Sequence, residues 1–207
     1  MTYKSLLLLL LFTSTHCVEP QKPQVEPQKT APDISREAIV AELKSRENAS
    51  ISAQYDSLGT LEQVFSFEVK TADQDGVGAG VHLASPEADL PNLLNKNERL
   101  LAEAEVKVLI DYPLIHHYFF SLSSSKGFSR TQLVEEISRI YQQIYAEEEQ
   151  TASIKTLPVK ERQMYNRNTT NGKYGIWGHD IGDLVLTKIS VYKPRQGPRI
   201  LVLYIES

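Results

Sequence analysis

The chain has 207 residues, of which 41% are hydrophobic and 23% charged, so it is long enough for one globular domain with a full core. Its formal net charge of −4 argues against a nucleic-acid-binding protein, which would present a basic surface. Cys17 is the single cysteine, which excludes an internal disulfide and a thiol-based structural zinc site.

The first 16 residues have the pattern of an export signal. Lys4 provides a positive charge, residues 6–12 form an uninterrupted apolar run, and small polar residues follow. This run is too short to cross a bilayer, which needs about 20 apolar residues in a helix. We therefore expect residues 1–16 to be removed as a signal segment.

Cys17 stands directly after this segment. Residues 1–17 thereby resemble the export signal of bacterial lipoproteins, although Ser14 and His16 occupy positions where that family usually has an aliphatic and a small residue. The resemblance implies that Cys17 is acylated and holds the mature chain to membrane lipid, on the periplasmic or surface side of the cell envelope. Cleavage at a neighbouring bond, which would secrete the chain without an anchor, is the alternative.

Residues 17–32 are predicted to be a tether. The pentapeptide Val-Glu-Pro-Gln-Lys at 18–22 recurs unchanged at 25–29, with further prolines beside it. Such a segment has little to bury and favours an extended polyproline-II chain of about 3.1 Å per residue. We expect it to separate the folded part from the membrane surface.

Residues 33–104 carry weaker patterns. A helix is predicted to run from a cap at Asp33 or Ser35 to about residue 47. Residues 64–69 alternate as a strand does. A short helix is expected near residues 98–104.

Residues 105–207 are predicted to form an α+β core. Alternating apolar residues predict a hairpin of two strands, at 105–112 and 117–122. Ser129 and Gln132 then form a capping-box signature for a helix that continues through Ala146. The three glutamates at 147–149 oppose the helix dipole, so the helix is expected to end there.

Two more strands are predicted after a long loop, at 183–192 and at 200–205. The second is apolar on both faces, which favours a central place in the sheet. The order strand, strand, helix, loop, strand, strand predicts an α+β fold in which one main helix packs across a small sheet. The N-terminal helix and the extended tether precede this core.

The most unusual segment is residues 166–183. It holds the only tryptophan, Trp177, together with four glycines and the polar group His179, Asp180 and Asp183. The stretch Gly-Ile-Trp-Gly-His-Asp-Ile-Gly-Asp-Leu within it is similar to one in a group of uncharacterised bacterial proteins. That resemblance covers the C-terminal hundred residues and implies no activity.

Three interpretations of this segment remain open. His179, Asp180 and Asp183 could act as metal ligands or as an acid/base pair, which makes a metal-assisted hydrolase one hypothesis. No second ligand motif accompanies them, and neither a metal nor a cofactor is predicted. Trp177 could instead be exposed on a binding surface, or it could fill the core beneath the helix. We expect the last of these, a structural loop with Trp177 buried.

The favoured hypothesis for function is an exported, lipid-anchored domain of the cell envelope that binds or interacts and does not catalyse. Membrane lipid reached through Cys17 and an envelope protein are its expected partners. Nucleic acid is not.

Overall fold

The computed structural model describes residues 55–71 and 76–207. The signal segment at 1–16, Cys17 with the tether to residue 32, and the helix predicted over residues 33–47 lie outside the described residues. Within the described ranges, no helix combines the length and the apolar character needed to span a bilayer.

A six-stranded mixed sheet forms the centre of the fold. Five strands lie side by side in the order β1 (Thr60–Ser66), β9 (Val185–Lys193), β10 (Arg199–Glu206), β6 (Glu105–Ile110) and β7 (Tyr118–Ser123). The short β4 (Val81–His82) pairs with β9 beyond the end of β1. The pair formed by β10 and β6 is parallel, and the other pairs of this sheet are antiparallel.

Two small ribbons and five short turns of 3-10 helix complete the described strands and turns. The ribbons pair β2 (Glu68–Lys70) with β3 (Val77–Ala79) and β5 (Arg99–Leu101) with β8 (Phe128–Ser129). The 3-10 turns are Asp56–Leu58, Pro86–Ala88, Leu90–Asn92, Val159–Glu161 and Ile181–Asp183.

One long helix, α1 (Arg130–Thr151), packs across the sheet. The predicted capping box is confirmed: Gln132 N donates to Ser129 Oγ at 3.3 Å, and Ser129 N donates to Gln132 Oε1 at 2.9 Å. The face of α1 towards the sheet is apolar and buried, and it consists of Leu133, Val134, Ile137, Ile140, Tyr141 and Ile144. The fold is therefore α+β, with one main helix and a mixed sheet.

The hairpin of β6 and β7 is confirmed, as is the central place of β10 between β9 and β6. The strand predicted at 64–69 is interrupted at Phe67, which lies between the end of β1 at Ser66 and the start of β2 at Glu68. Phe67 N donates to Thr187 O on β9 at 2.8 Å, and Phe67 O accepts from Gly80 N at 2.7 Å. The Phe67 ring is buried in the core at this change of direction.

Two predictions are wrong. The segment near residues 98–104 contains the strand β5 and not a short helix, because Leu100 and Leu101 are buried and β5 pairs with β8. The helix does not end at the glutamates 147–149 but continues to Thr151. Glutamates at a helix C-terminus interact unfavourably with the helix dipole. Here hydrogen-bond donors from the loop after the helix offset that interaction.

Candidate interaction surface

The three carboxylates near the end of α1 hold the loop that follows the helix. Glu148 is fully buried, and its two oxygens accept four hydrogen bonds. Oε1 accepts from Thr170 Oγ1 at 2.6 Å and from Gly172 N at 2.8 Å. Oε2 accepts from Tyr174 N at 2.8 Å and from Gly175 N at 3.1 Å. The carboxylate thus binds one hydroxyl group and three backbone N–H groups from a segment more than 20 residues further along the chain.

Glu148 is ionised in this environment. Burial alone would raise the pKa of its carboxyl group, but the hydrogen bonds from the Thr170 hydroxyl and from the backbone of Tyr174, Gly172 and Gly175 outweigh it and hold the pKa below its usual range. A buried carboxylate is costly unless its lone pairs are satisfied, and here each oxygen has two donors.

Glu147 and Glu149 flank Glu148 and contact the same loop. Glu147 accepts from Lys173 Nζ at 2.7 Å and from the Tyr174 hydroxyl at 2.7 Å. The bond from Lys173 is the main reason why the pKa of Glu147 falls to about 2. Glu149 accepts from Thr156 Oγ1 at 3.1 Å. The helix continues to Thr151 because each glutamate of the acidic run has a donor in the loop.

Two asparagine side chains fix the rest of the loop. The Asn171 Oδ1 atom accepts from the backbone N–H of Ile154 at 2.8 Å and of Ser153 at 3.1 Å. The Asn168 Oδ1 atom accepts from Leu157 N at 2.8 Å. Much of the unusual polar composition of residues 166–175 is therefore used to hold the loop against the end of α1.

Asp180 is held by two arginines. Its carboxylate contacts Arg162 Nη1 at 2.6 Å and Nη2 at 3.2 Å, and Arg167 Nη1 at 3.3 Å. Only 6% and 7% of the side-chain surfaces of Arg162 and Arg167 are exposed. Burial alone would raise the pKa of the Asp180 carboxyl group, but Arg162 and then Arg167 outweigh it and lower the pKa. Asp183 accepts from the backbone N–H of Asp180 at 3.0 Å and so closes a short turn.

The structure does not gather His179 with these acids. The His179 ring lies against Tyr112 and Trp177, with centroid distances of 5.6 and 5.8 Å, and its Nε2 atom is 3.4 Å from Ser207 Oγ. Across residues 55–71 and 76–207, no group of three or more His, Cys, Asp or Glu side chains is placed to hold a metal ion. The hydrolase hypothesis gains no support from this arrangement and stays a prediction.

The prediction that Trp177 is buried beneath the helix is wrong. The side chain is on the surface, with 38% of the residue exposed. Tyr174 and Ile176 fill the core instead, at 2% and 0% exposed. Ile176 forms a bridge with Leu114, so the backbone here is extended and successive side chains point to opposite sides. Ile176 points inwards, so its neighbour Trp177 points outwards.

Trp177 is nevertheless held in place. Its backbone N–H donates to Pro113 O at 3.1 Å, and its indole meets the half-buried Tyr112 ring edge-to-face at a centroid distance of 5.2 Å and 84°. We call Tyr112, Trp177 and His179 the aromatic surface. Three rings in mutual contact form a pre-organised apolar patch with polar edges.

The loop after α1 adds further apolar side chains to the surface of the domain. Five large side chains between residues 154 and 165 are exposed, namely Ile154, Leu157, Val159, Met164 and Tyr165. We call this segment the apolar loop. Its end lies beside the segment of Trp177, because Arg162 donates both to Tyr165 O and to Asp180 and because Arg167 N donates to Gly178 O. Exposed apolar groups at such density mark interaction sites.

No protein-family model, no curated protein and no solved structure matches this chain.

The sequence singled out Trp177 and His179 but missed Tyr112, Met164 and Tyr165. The apolar loop has no helical or strand periodicity, and the only available signal was five large apolar residues in an otherwise polar stretch. Glu148 was also missed, because its donors lie more than 20 residues away.

Proposed function

We propose that the protein is an exported, lipid-anchored domain of the cell envelope and that it binds a protein partner through the aromatic surface and the apolar loop. The observation that carries this proposal is the exposed indole of Trp177, held by a buried framework of hydrogen bonds and ion pairs. The proposed role is binding, and it is supported by the carboxylates of Asp180 and Asp183, which are engaged by two arginines and by a backbone N–H group.

The energetics of protein interfaces support this assignment. Tryptophan and tyrosine are enriched among the few interface residues that contribute most of the binding energy, and they act best where their position is fixed before binding. Trp177 meets this condition, since its backbone is bonded to Pro113 and its ring packs on Tyr112. A partner that covers the indole would remove apolar surface from water without ordering a flexible segment.

The anchor is the second part of the proposal, and the sequence supports it. Cys17 follows an apolar segment too short to span a bilayer, and the repeat over residues 18–32 suits a spacer that carries the domain away from the lipid surface. An acyl chain gives marginal binding by itself, and a second chain makes the anchoring stable.

The surface is tested by comparing two truncations of exposed apolar side chains. Trp177→Ala should lose the captured partner from envelope extracts, because truncation of an interface anchor costs at least about 2 kcal/mol, or roughly 30-fold in affinity. Val64→Ala, which changes an exposed side chain on the edge strand β1, is the control and should capture the partner as the wild type does. Capture is quantified by mass spectrometry against beads without protein. Equal capture by wild type and Trp177→Ala would remove the aromatic surface from the proposal.

The anchor is tested separately. Cys17→Ser should move the protein from the membrane fraction to the soluble fraction, and the intact mass of the wild type should include acyl chains. An unchanged distribution together with a mass that lacks acyl chains would refute the anchor while leaving the binding surface open to its own test.

A further inference from the structure

The strand β7 presents an open edge of the main sheet. It pairs with β6 and with no other strand of the described residues. Ser124 N donates to Ala104 O at 2.8 Å, one step beyond the pair of Glu105 and Ser123. Because hydrogen-bonded pairs recur at every second residue of an antiparallel ladder, the backbone groups of Phe119, Ser121 and Ser123 point away from β6.

This edge lacks the features that protect free edges. Such strands usually carry charged side chains, proline or a bulge, which prevent another strand from pairing with them. β7 has the sequence Tyr-Phe-Phe-Ser-Leu-Ser, and its register with β6 is regular throughout. The opposite edge strand, β1, has a register shift between Leu61 and Gln63 and an ion pair from Glu62 to Arg199. Within residues 55–71 and 76–207, the β1 edge of the sheet is protected and the β7 edge is left open.

A cleft of about 410 Å³ lies between β7 and the N-terminal half of α1. Residues Ser121–Ser124 line the strand side, and Glu135 and Glu136 line the helix side. Glu136 is paired with Arg139 at 2.8 Å, while Glu135 is exposed and has no ion-pair partner among residues 55–71 and 76–207. The cleft therefore carries a net negative charge next to an open strand edge.

We infer that β7 and this cleft bind an extended basic peptide segment of a partner protein, which pairs with β7 as an additional strand. The outward N–H and C=O groups of Phe119, Ser121 and Ser123 supply the backbone hydrogen bonds of such a complex, and alternate side chains of the peptide enter the cleft. A lysine or arginine among them meets Glu135. A second copy of the chain fits less well, because it would bring a second Glu135 to the same edge without a counter-charge.

This inference does not depend on the aromatic surface, because it uses other residues. The experiment titrates the purified full chain with two fluorescein-labelled octapeptides, one alternating threonine with lysine and one alternating threonine with glutamate. Fluorescence anisotropy gives the affinities, and amide hydrogen exchange locates the contact. We expect the lysine peptide to bind at least tenfold more tightly and to slow exchange at Phe119, Ser121 and Ser123.

Two pairs of variants separate strand pairing from simple charge attraction. Ser121→Pro removes one outward N–H and should weaken binding of the lysine peptide at least tenfold, whereas Ser121→Ala keeps that N–H and should bind as the wild type does. Glu135→Gln, which changes only an exposed side chain, should weaken the lysine peptide and not the glutamate peptide. Val64→Ala, on the edge strand β1, should leave both affinities unchanged.

Several results would overturn the inference. One is binding of the lysine peptide without protection of the three amides. Another is equal loss of affinity in Ser121→Ala and Ser121→Pro. A third is protection of the same amides at high protein concentration without peptide, which would identify a second copy as the occupant. If Ser121→Pro fails to fold, Glu135→Gln and the exchange pattern of the wild type decide the question.

Discussion

Glu148 offers the sharpest test of how the fold holds its surface, because each of its oxygens accepts two hydrogen bonds. In Glu148→Gln one oxygen becomes an NH₂ group, which cannot accept. Whichever way the amide is turned, two donors lose their acceptor and face another donor. A hydrogen bond to a charged group contributes about 1.5–3 kcal/mol, so we expect Glu148→Gln to lower the free energy of unfolding by about 3 kcal/mol.

That loss is a large share of the roughly 5–15 kcal/mol by which domains are stable. The control is Glu149→Gln on the next residue of the same helix. Half of the Glu149 side-chain surface is exposed, and its one close donor is the Thr156 hydroxyl at 3.1 Å. We expect this control to cost less than about 1 kcal/mol, as exposed polar contacts do. Urea denaturation followed by circular dichroism measures both variants.

The pH dependence gives a second readout. The pKa of Glu148 is below its usual range in the folded protein, so its stabilisation is fully present above the unfolded pKa of about 4.3 and is lost as pH falls through the folded value. The Gln side chain does not titrate. The gap between wild type and Glu148→Gln should thus be widest near neutral pH and should shrink below about pH 4. Equal costs for the two variants, or a gap that stays constant in acid, would refute the reasoning.

Three further predictions concern the same loop. Gly172→Ala should lower the free energy of unfolding by about 1–3 kcal/mol, because a Cβ atom there would lie 2.7 Å from Glu148 Oε2 and 2.8 Å from Ala152 N. Gly182→Ala is the control, since a Cβ atom there meets open space, and it should be neutral in the same denaturation assay. Ile176→Ala should cost about 2–5 kcal/mol and Trp177→Ala only about 1 kcal/mol, and the reverse order would contradict the placement of the two side chains. The single tryptophan should show long-wavelength emission that iodide quenches, whereas shielded short-wavelength emission would mean that Trp177 is buried.

The sequence predicted best where the determinants are local. Ser129 and Gln132 lie three residues apart, so the start of α1 could be located from the capping box alone. The apolar character of residues 200–205 on both faces indicated a central strand, and β10 has that place. The end of α1 was missed because the partners of Glu147 and Glu148 lie at residues 170–175, and sequence spacing carries no trace of such contacts.

The candidate surface was predicted less well than the fold. Trp177 was singled out because a lone tryptophan among glycines is unusual, but whether it points inwards or outwards depends on the extended pairing of Ile176 with Leu114. A shift of one residue in an extended segment moves each side chain to the other face. Amino-acid composition therefore could not decide whether Trp177 points inwards or outwards. The open edge of β7 depends on the order of strands in the sheet, which element order along the chain does not determine.

The parallel pairing of β6 with β10 also joins residues that lie far apart along the chain. Val106 lies opposite Arg199, and the segment between them contains the strand β7, the helix α1 and the strand β9. Contacts between such distant residues carry a large loop-closure entropy and slow the folding of a domain. For a chain that leaves the cell as we propose, the pairing of β6 with β10 can form only after residues 199–206 have emerged on the far side of the membrane.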